Sequence, residues 1–345
     1  MDMQRLDNKI STCWINVNRA CNLRCSWCYA QSTKFNNKKL LWKDAKKIVD
    51  IFSEYGTKSF IILGGEPTLY ENLPQLLEYI YLKGGSSTIV TNAIRFSDKQ
   101  YLINLQKSHL DGIGISVKGY DKKSFINNTG FDGFQKFELA INNLTENGLK
   151  YNPSFVISKD SIDYIENVLE YLMRHNVQHI SLSFYKQPFG IEGIGDKPQE
   201  LINKFAEKYE IINKITGGHF SLHQSLPFCL WPKDLIVLMN SRNQLRSLCQ
   251  LICHNGLVVD VDMNLCVCNM LYDYPIGTIN EKMRTGRDLS EFWHNKHTYD
   301  IYKSLLRLPS KVCETCEELS YCAGGCVMQY FNYALDDIRR AKNEN

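Results

Sequence analysis

Between residues 29 and 228 the sequence has no cysteine, although the chain carries 13 cysteines in 345 residues. Four of them, Cys13, Cys21, Cys25 and Cys28, precede the gap, and nine crowd between Cys229 and Cys326. An excess of one charge is also lacking. Lys+Arg total 40 against 37 for Asp+Glu, and a net +3 over this length leaves no electrostatic footprint for nucleic acid. No apolar run approaches the roughly 20 residues that cross a bilayer. The opening "MDMQRLDNKI" has no apolar core of a signal peptide. The chain is therefore read as cytoplasmic, with neither membrane nor nucleic acid as a partner. In that compartment the cysteines are metal ligands rather than a disulfide framework.

The cysteine-free stretch has a rhythm. Short apolar runs read as strands at 12–18, 59–63, 87–91, 112–117, 153–158 and 179–185. Amphipathic helices are expected at 43–56, 72–85 and 160–176. The first puts Ile48, Phe52 and Tyr55 on one face and ends on a glycine cap, the second ends the same way, and the third opens on Asp160 as N-cap. Six β-then-α units imply parallel strands with right-handed crossovers. Six fall short of a closed eight-stranded barrel, so the expected fold is α/β: a partial (β/α)6 TIM-like barrel. The expected division is a barrel over 1–195, a linker or helical bridge over 196–245, and a cysteine-rich domain over 246–345.

In such a barrel functional residues gather at the C-terminal ends of the strands. "CNLRCSWCYA" (21–30) follows the first strand, "GGEP" (64–67) the second, "TN" (91–92) ends the third, and Ser116 ends the fourth. A cubane held by three thiolates leaves one iron open, and an open metal position is where chemistry happens.

The spacing C-x3-C-x2-C at Cys21, Cys25 and Cys28, with the aromatic Trp27, resembles the signature of the radical S-adenosylmethionine enzymes. The resemblance implies a [4Fe-4S] cluster on those three cysteines, with S-adenosylmethionine chelating the open iron and yielding a 5′-deoxyadenosyl radical. It implies that Gly64, Gly65, Glu66 and Pro67 border the methionine amino group, and that Asn92 and Ser116 contact ribose and methionine. It also implies an electron donor such as flavodoxin or ferredoxin.

A second spacing, Cys313, Cys316, Cys322 and Cys326, follows Cys249, Cys253 and a hairpin-like run ending at Cys268. This resembles the SPASM extension of the same enzymes, which carries auxiliary [4Fe-4S] clusters. By that resemblance Cys249, Cys253, Cys268 and Cys326 hold one cluster, and Cys313, Cys316 and Cys322 hold part of a second. Three departures stand out. No cysteine follows Cys326, which leaves Asp336, Asp337, Cys266, Cys229, an open iron, or no second cluster. Met263 stands where the family has glycine. Asn269 stands where sulfatase-maturing members have an aspartate base, which disfavours that activity. A treble-clef or ribbon zinc site is the competing reading of 313–326.

Cys229 and Cys266 are unassigned thiols; either could donate a hydrogen atom in an epimerase, though a buried inert thiol is the commoner case. His294 and His297 read as an exposed helix face, His219 and His223 as loop or strand residues, and Cys13 as core. The expected function is oxidative maturation of a peptide: a crosslink, thioether or related modification. The alternatives are a peptide epimerase, a dehydrogenase or epimerase acting on a sugar or aminocyclitol, and, last, a non-catalytic iron–sulfur or zinc protein. No winged-helix-like segment precedes the first strand, which points to a separate leader-binding partner, leaderless recognition or a small substrate.

Overall fold

The computed structural model describes residues 9–32, 37–186, 198–223, 226–246, 249–272, 274–306 and 308–329. Strands and helices alternate from the first: β1 (Thr12–Asn16), α1 (Trp42–Tyr55), β2 (Ser59–Leu63), α2 (Leu73–Leu82), β3 (Ser86–Thr91), α3 (Lys99–Gln106), β4 (Gly112–Ser116), α4 (Lys122–Thr129), α5 (Phe134–Glu146), β5 (Asn152–Ile157), α6 (Ile165–Arg174), β6 (Ile180–Phe184). The rest of the described chain adds α7 (Pro198–Thr216), β7 (Phe220–His223), α8 (Lys233–Ser241), β8 (Leu245–Arg246), α9 (Gln250–Cys253), β9 (Gly256–Val259), β10 (Asn264–Cys266), β11 (Gly277–Thr278), α10 (Gly286–Trp293), α11 (Lys296–Leu305) and α12 (Leu319–Cys322). Among the described residues no helix is long and apolar enough to cross a membrane.

One sheet runs in the order β11-β10-β9-β1-β2-β3-β4-β5-β6-β7-β8. Neighbours from β1 to β8 pair in parallel, as in Thr12 opposite Ser59 and Ser154 opposite Ser181. The first and last of these strands do not meet, so the barrel stays open and the α/β partial-barrel expectation stands. The sheet nevertheless runs past the sixth strand. Residues read as a bridge carry α7, β7, α8 and β8, and β7 and β8 extend the parallel register. On the other side β9 pairs in parallel with β1, Thr12 opposite Gly256, and turns back as an antiparallel hairpin with β10.

Helix α1 shows why these segments fold as they do. Ala45, Ile48, Val49, Ile51 and Phe52 form its buried stripe, and Gly56, at φ 105°, closes it by donating its amide to Phe52 O and Ser53 O. The helix expected to start at Asp160 is broken in two. A 3-10 turn spans Ser161–Tyr164 before α6, and the Asp160 side chain caps nothing. Serines build the turn instead: Ser161 Oγ accepts from Ser158 N at 2.7 Å and donates to Val156 O at 2.9 Å.

The β9–β10 turn falls at 260–263, where buried Asp260 organises it. Its Oδ1 accepts from the amides of Asp262 and Asn264 at 2.8 and 3.0 Å, and its Oδ2 pairs with Arg19 Nη2 at 3.2 Å. Met263 closes the turn at φ 64°, in the left-handed region where glycine carries no Cβ penalty. That is the physical reason for a glycine at this position, and the methionine accepts the strain.

Candidate active site

The loop after β1 is pinned from three sides. Arg24 N and Ser26 N donate to Thr129 O and Asn128 O at the end of α4, each at 3.0 Å. Asn92 Nδ2, just past β3, donates to Asn22 Oδ1 at 2.7 Å. Buried Leu23 anchors the loop to the core. These ties set Cys21, Cys25 and Cys28 along one cavity of about 290 Å³, near the lower end of small-molecule pockets. Burial pushes the Cys21 thiol up to about 11, opposed by the Leu23 amide on its sulfur and reinforced by Glu66, Cys25 and Cys28. Burial also raises Cys28, with Cys25 adding to the rise and Lys118 and Arg24 opposing it.

The strand ends supply the other walls. Gly64 and Gly65 line the cavity. A Cβ on Gly64 would stand 2.6 Å from Asn18 O, and one on Gly65 would stand 2.3 Å from Ala20 O. Both glycines are thus demanded by the close approach of β2's end to the loop after β1. Glu66 N donates to Ala20 O and Gly65 N to Asn18 O, each at 2.8 Å.

Glu66 is 1% exposed and saturated by donors. Its Oε1 accepts from Thr68 N, Thr68 Oγ1 and Thr91 Oγ1 at 3.1, 2.7 and 2.6 Å, and its Oε2 accepts from Asn92 N at 2.8 Å. Burial raises its pKa, and those hydrogen bonds work against the rise. The carboxylate ties β2's end to β3's. Pro67 is buried and starts the 3-10 turn Pro67–Leu69, directly after the lining residue Glu66. Asn92 Oδ1 accepts from Ile94 N at 3.0 Å.

Ser116 accepts a 2.6 Å hydrogen bond from Lys118 Nζ. Lys118 is only 7% exposed, lines the cavity, and holds its ammonium 5.4 Å from the centroid of the Trp27 ring. The sequence reading missed it. The available signal was its place two residues beyond Ser116, on the same face of an extended chain. Tyr185 and Lys186, beyond β6, were also missed and line the cavity too.

The hairpin region reaches the same cavity. Asn269 and Met270, directly after Cys268, line it. The position singled out for its missing carboxylate therefore faces the three-cysteine loop. Asn269 Oδ1, Trp14 Nε1 and Trp27 Nε1 are buried on this lining with no partner among the described residues. Polar atoms of that kind await a ligand or water.

None of the 13 cysteines forms a disulfide. Cys249 and Cys326 lie close enough to Cys268 to raise its pKa beyond the effect of burial, which pushes that thiol up to about 12. Cys249 acts on Cys253 in the same way. Cys249 thus acts on both Cys268 and Cys253. Cys229 and Cys313 likewise neighbour Cys322. Among the described residues no three His, Cys, Asp or Glu side chains stand close enough to hold a metal ion as they are placed. Cys13 and Cys266 are fully buried in β1 and β10. Neither Cys266 nor Cys229 is among the residues lining the cavity. His294 and His297 are exposed, His219 precedes β7 and His223 ends it. Asp336 and Asp337 lie outside the described residues.

The Radical SAM superfamily profile matches residues 15–172. The Fe-coproporphyrin III synthase of Methanosarcina barkeri is 30% identical over 224 residues, 63% of this chain and 53% of that protein. A probable GTP 3′,8-cyclase of Thermoplasma volcanium is 29% identical over 160 residues, 45% of this chain and 48% of that protein. The chain thus spans about half the length of these relatives. The structure described as native anSMEcpe with bound AdoMet superposes with a TM-score of 0.71 at 17% identity, covering 96% of this chain and 97% of that one. Streptococcus suis SuiB bound to precursor peptide SuiA gives 0.72 at 19% identity, covering 94% of this chain and 73% of SuiB. At these identities the structural likeness speaks to the fold.

Proposed function

Residues 15–172 form a domain of the radical SAM superfamily, and from that premise we propose that the chain is an oxidative peptide-modifying enzyme with a SPASM-like C-terminal domain. That superfamily implies a [4Fe-4S] cluster and S-adenosylmethionine. The residues present suit both. Three thiols outside any disulfide line one cavity, a glycine pair leaves backbone exposed beside them, and partnerless polar atoms face inward. Bound there, the two groups supply a one-electron reduction and a carbon-centred radical that abstracts hydrogen.

Cys21, Cys25 and Cys28 would hold the cluster, each losing a thiol proton. Glu66, locked by Thr68, Thr91 and Asn92, keeps the strand ends and the Gly64–Gly65 backbone in place. Lys118 supplies a buried positive charge suited to a methionine carboxylate, with Ser116 orienting it. Trp27 covers that ammonium and helps exclude water.

The observation that carries the substrate reading is the wall made by Asn269 and Met270. The C-terminal cysteine region forms part of the radical cavity itself. An auxiliary cluster on Cys249, Cys253, Cys268 and Cys326 would then adjoin the substrate. An amide at 269 cannot take a proton as a carboxylate does, which disfavours base-dependent alcohol oxidation. The net change proposed is loss of two hydrogens from a peptide side chain, with a new bond formed: one would leave as a hydrogen atom to the 5′-deoxyadenosyl radical, the other as an electron to the auxiliary cluster and a proton to solvent. SuiB's peptide-bound structure shares this fold and supports the reading. A separate leader-binding protein and a flavodoxin or ferredoxin donor belong to the same proposal.

A small-molecule substrate is the second reading. The modest cavity and the Fe-coproporphyrin III synthase relative favour it. Mass spectrometry of the product decides. A two-dalton decrease on a peptide supports crosslinking. An unchanged mass in light water, with one deuterium gained in heavy water, means epimerisation. 5′-Deoxyadenosine formation driven only by a sugar, aminocyclitol or tetrapyrrole supports the second reading.

A further inference from the structure

We infer that Cys229 completes a four-thiolate iron–sulfur site with Cys313, Cys316 and Cys322. The inference rests on the auxiliary-cluster reading above and adds a residue 84 positions upstream of the nearest of its partners in sequence.

Cys229 lies in the 3-10 turn Phe228–Leu230. The turn is anchored to the barrel by Trp231, whose ring packs 5.6 Å from Phe184 of β6 and 5.8 Å from Phe205 of α7. From that anchor Phe228 N donates to Cys322 Sγ at 3.3 Å. The Gly324 amide also donates to this sulfur, because Ala323 and Gly324, at φ 51° and 72°, turn the chain back after α12. Backbone amides aimed at a cysteine sulfur are what a cluster thiolate uses to disperse its charge. Cys322 is buried, while Cys229, the residue after the donor Phe228, is exposed. The turn Lys311–Thr315, which carries Cys313, packs against α12, and Cys316 links the two: its amide donates to Cys313 O at 3.3 Å and its carbonyl accepts from Leu319 N at 3.2 Å.

The other two unassigned thiols are shut out. Cys13 is fully buried in β1. Cys266 is fully buried in β10 with its sulfur 3.9 Å from Tyr272 O. Reaching 313–322 would require either to leave the sheet. Binding would convert each thiol to an iron-bound thiolate and release one proton per cysteine. It would also tie the segment 308–329 to the barrel through the 228–230 turn.

The test is per-site alkylation of the full chain. The protein is reconstituted anaerobically with iron(II) and sulfide, treated with iodoacetamide, and mapped by peptide mass spectrometry, with iron and zinc counted alongside. Cys229 is expected to resist labelling in the loaded chain together with Cys313, Cys316 and Cys322, and all four to label after chelation. Cys313→Ser should expose Cys229 in the loaded chain while Cys249, Cys253, Cys268 and Cys326 stay protected; Cys249→Ser should leave Cys229 protected. Cys229 labelling as fast loaded as stripped, with Cys313, Cys316 and Cys322 protected, overturns the assignment but not the second cluster. All four labelling, with the other set protected, overturns it by removing the second cluster. Zinc in place of iron on the four overturns the iron–sulfur assignment. Labelling of both sets with about four irons per chain instead overturns the auxiliary-cluster reading itself.

Discussion

Cys25 sits in a loop whose neighbouring amides are taken up by α4's end and whose Leu23 is sunk in the core; Cys316 stands exposed between a 3-10 turn and a four-residue helix. The two cysteine regions thus reach their geometry by different routes. The first is held by strand ends and by Glu66, which ties β2 to β3 regardless of metal. The second, over 308–329, has few buried apolar residues, and Val312 and Tyr321 are 75% and 65% exposed. Under the auxiliary-cluster proposal, a segment that buries so little apolar surface takes its structure from its metal, because binding energy there is folding energy. The first region is a preformed cradle; the second, under that proposal, is assembled by what it binds.

The sharpest break in that comparison is chemical. Replacing Cys21, Cys25 and Cys28 together with Ala should abolish reductive cleavage of S-adenosylmethionine, read as 5′-deoxyadenosine, while circular dichroism stays near that of the parent. Wild-type rates in that variant would remove the radical assignment. Next in size is metal removal. Chelation should open 308–329 to proteolysis and amide exchange by orders of magnitude and leave β1–β6 protected. Equal protection of 308–329 with and without metal would show that its packing is self-sufficient.

Glu66→Gln sharpens the other half. An amide NH2 would face donors where a carboxylate oxygen now accepts, so unfolding free energy should drop by about 1–3 kcal/mol. The smallest expected effect is Met263→Gly, which relieves a left-handed methionine. A stabilisation of about 0.5–1 kcal/mol is expected in a denaturant titration, after allowing for glycine's greater freedom in the unfolded chain. A loss there would mean that the methionine side chain holds the hairpin.

The barrel was legible where each signal was local. "SFIIL" carries four successive apolar residues and forms β2 at 59–63 as read, and Gly56 closes α1 because a helix end needs a residue free to turn left-handed. The loop, "GGEP", Asn92 and Ser116 fall at one rim because parallel strands send their C-terminal ends the same way. What was not legible depends on partners far along the chain. β7 is four residues and β8 two, too short to show alternation, and they exist because β6 offers an edge. Asp160 looks like a cap, but Ser158 and Ser161 win the local hydrogen bonds. Glu66's four donors come from Thr68, Thr91 and Asn92, and nothing local marks Lys118 as buried. Asn269's place on the cavity follows from β9 pairing with β1, a contact more than 240 residues apart.

The contrast between a preformed cradle and a C-terminal region proposed to be built around metal meets its most direct test in the metal count of the anaerobically reconstituted chain. The account predicts about twelve irons with matching sulfide, three cubanes of four, and no stoichiometric zinc. A count near four irons with zinc bound one-to-one would contradict it, leaving the radical site alone beside a zinc ribbon.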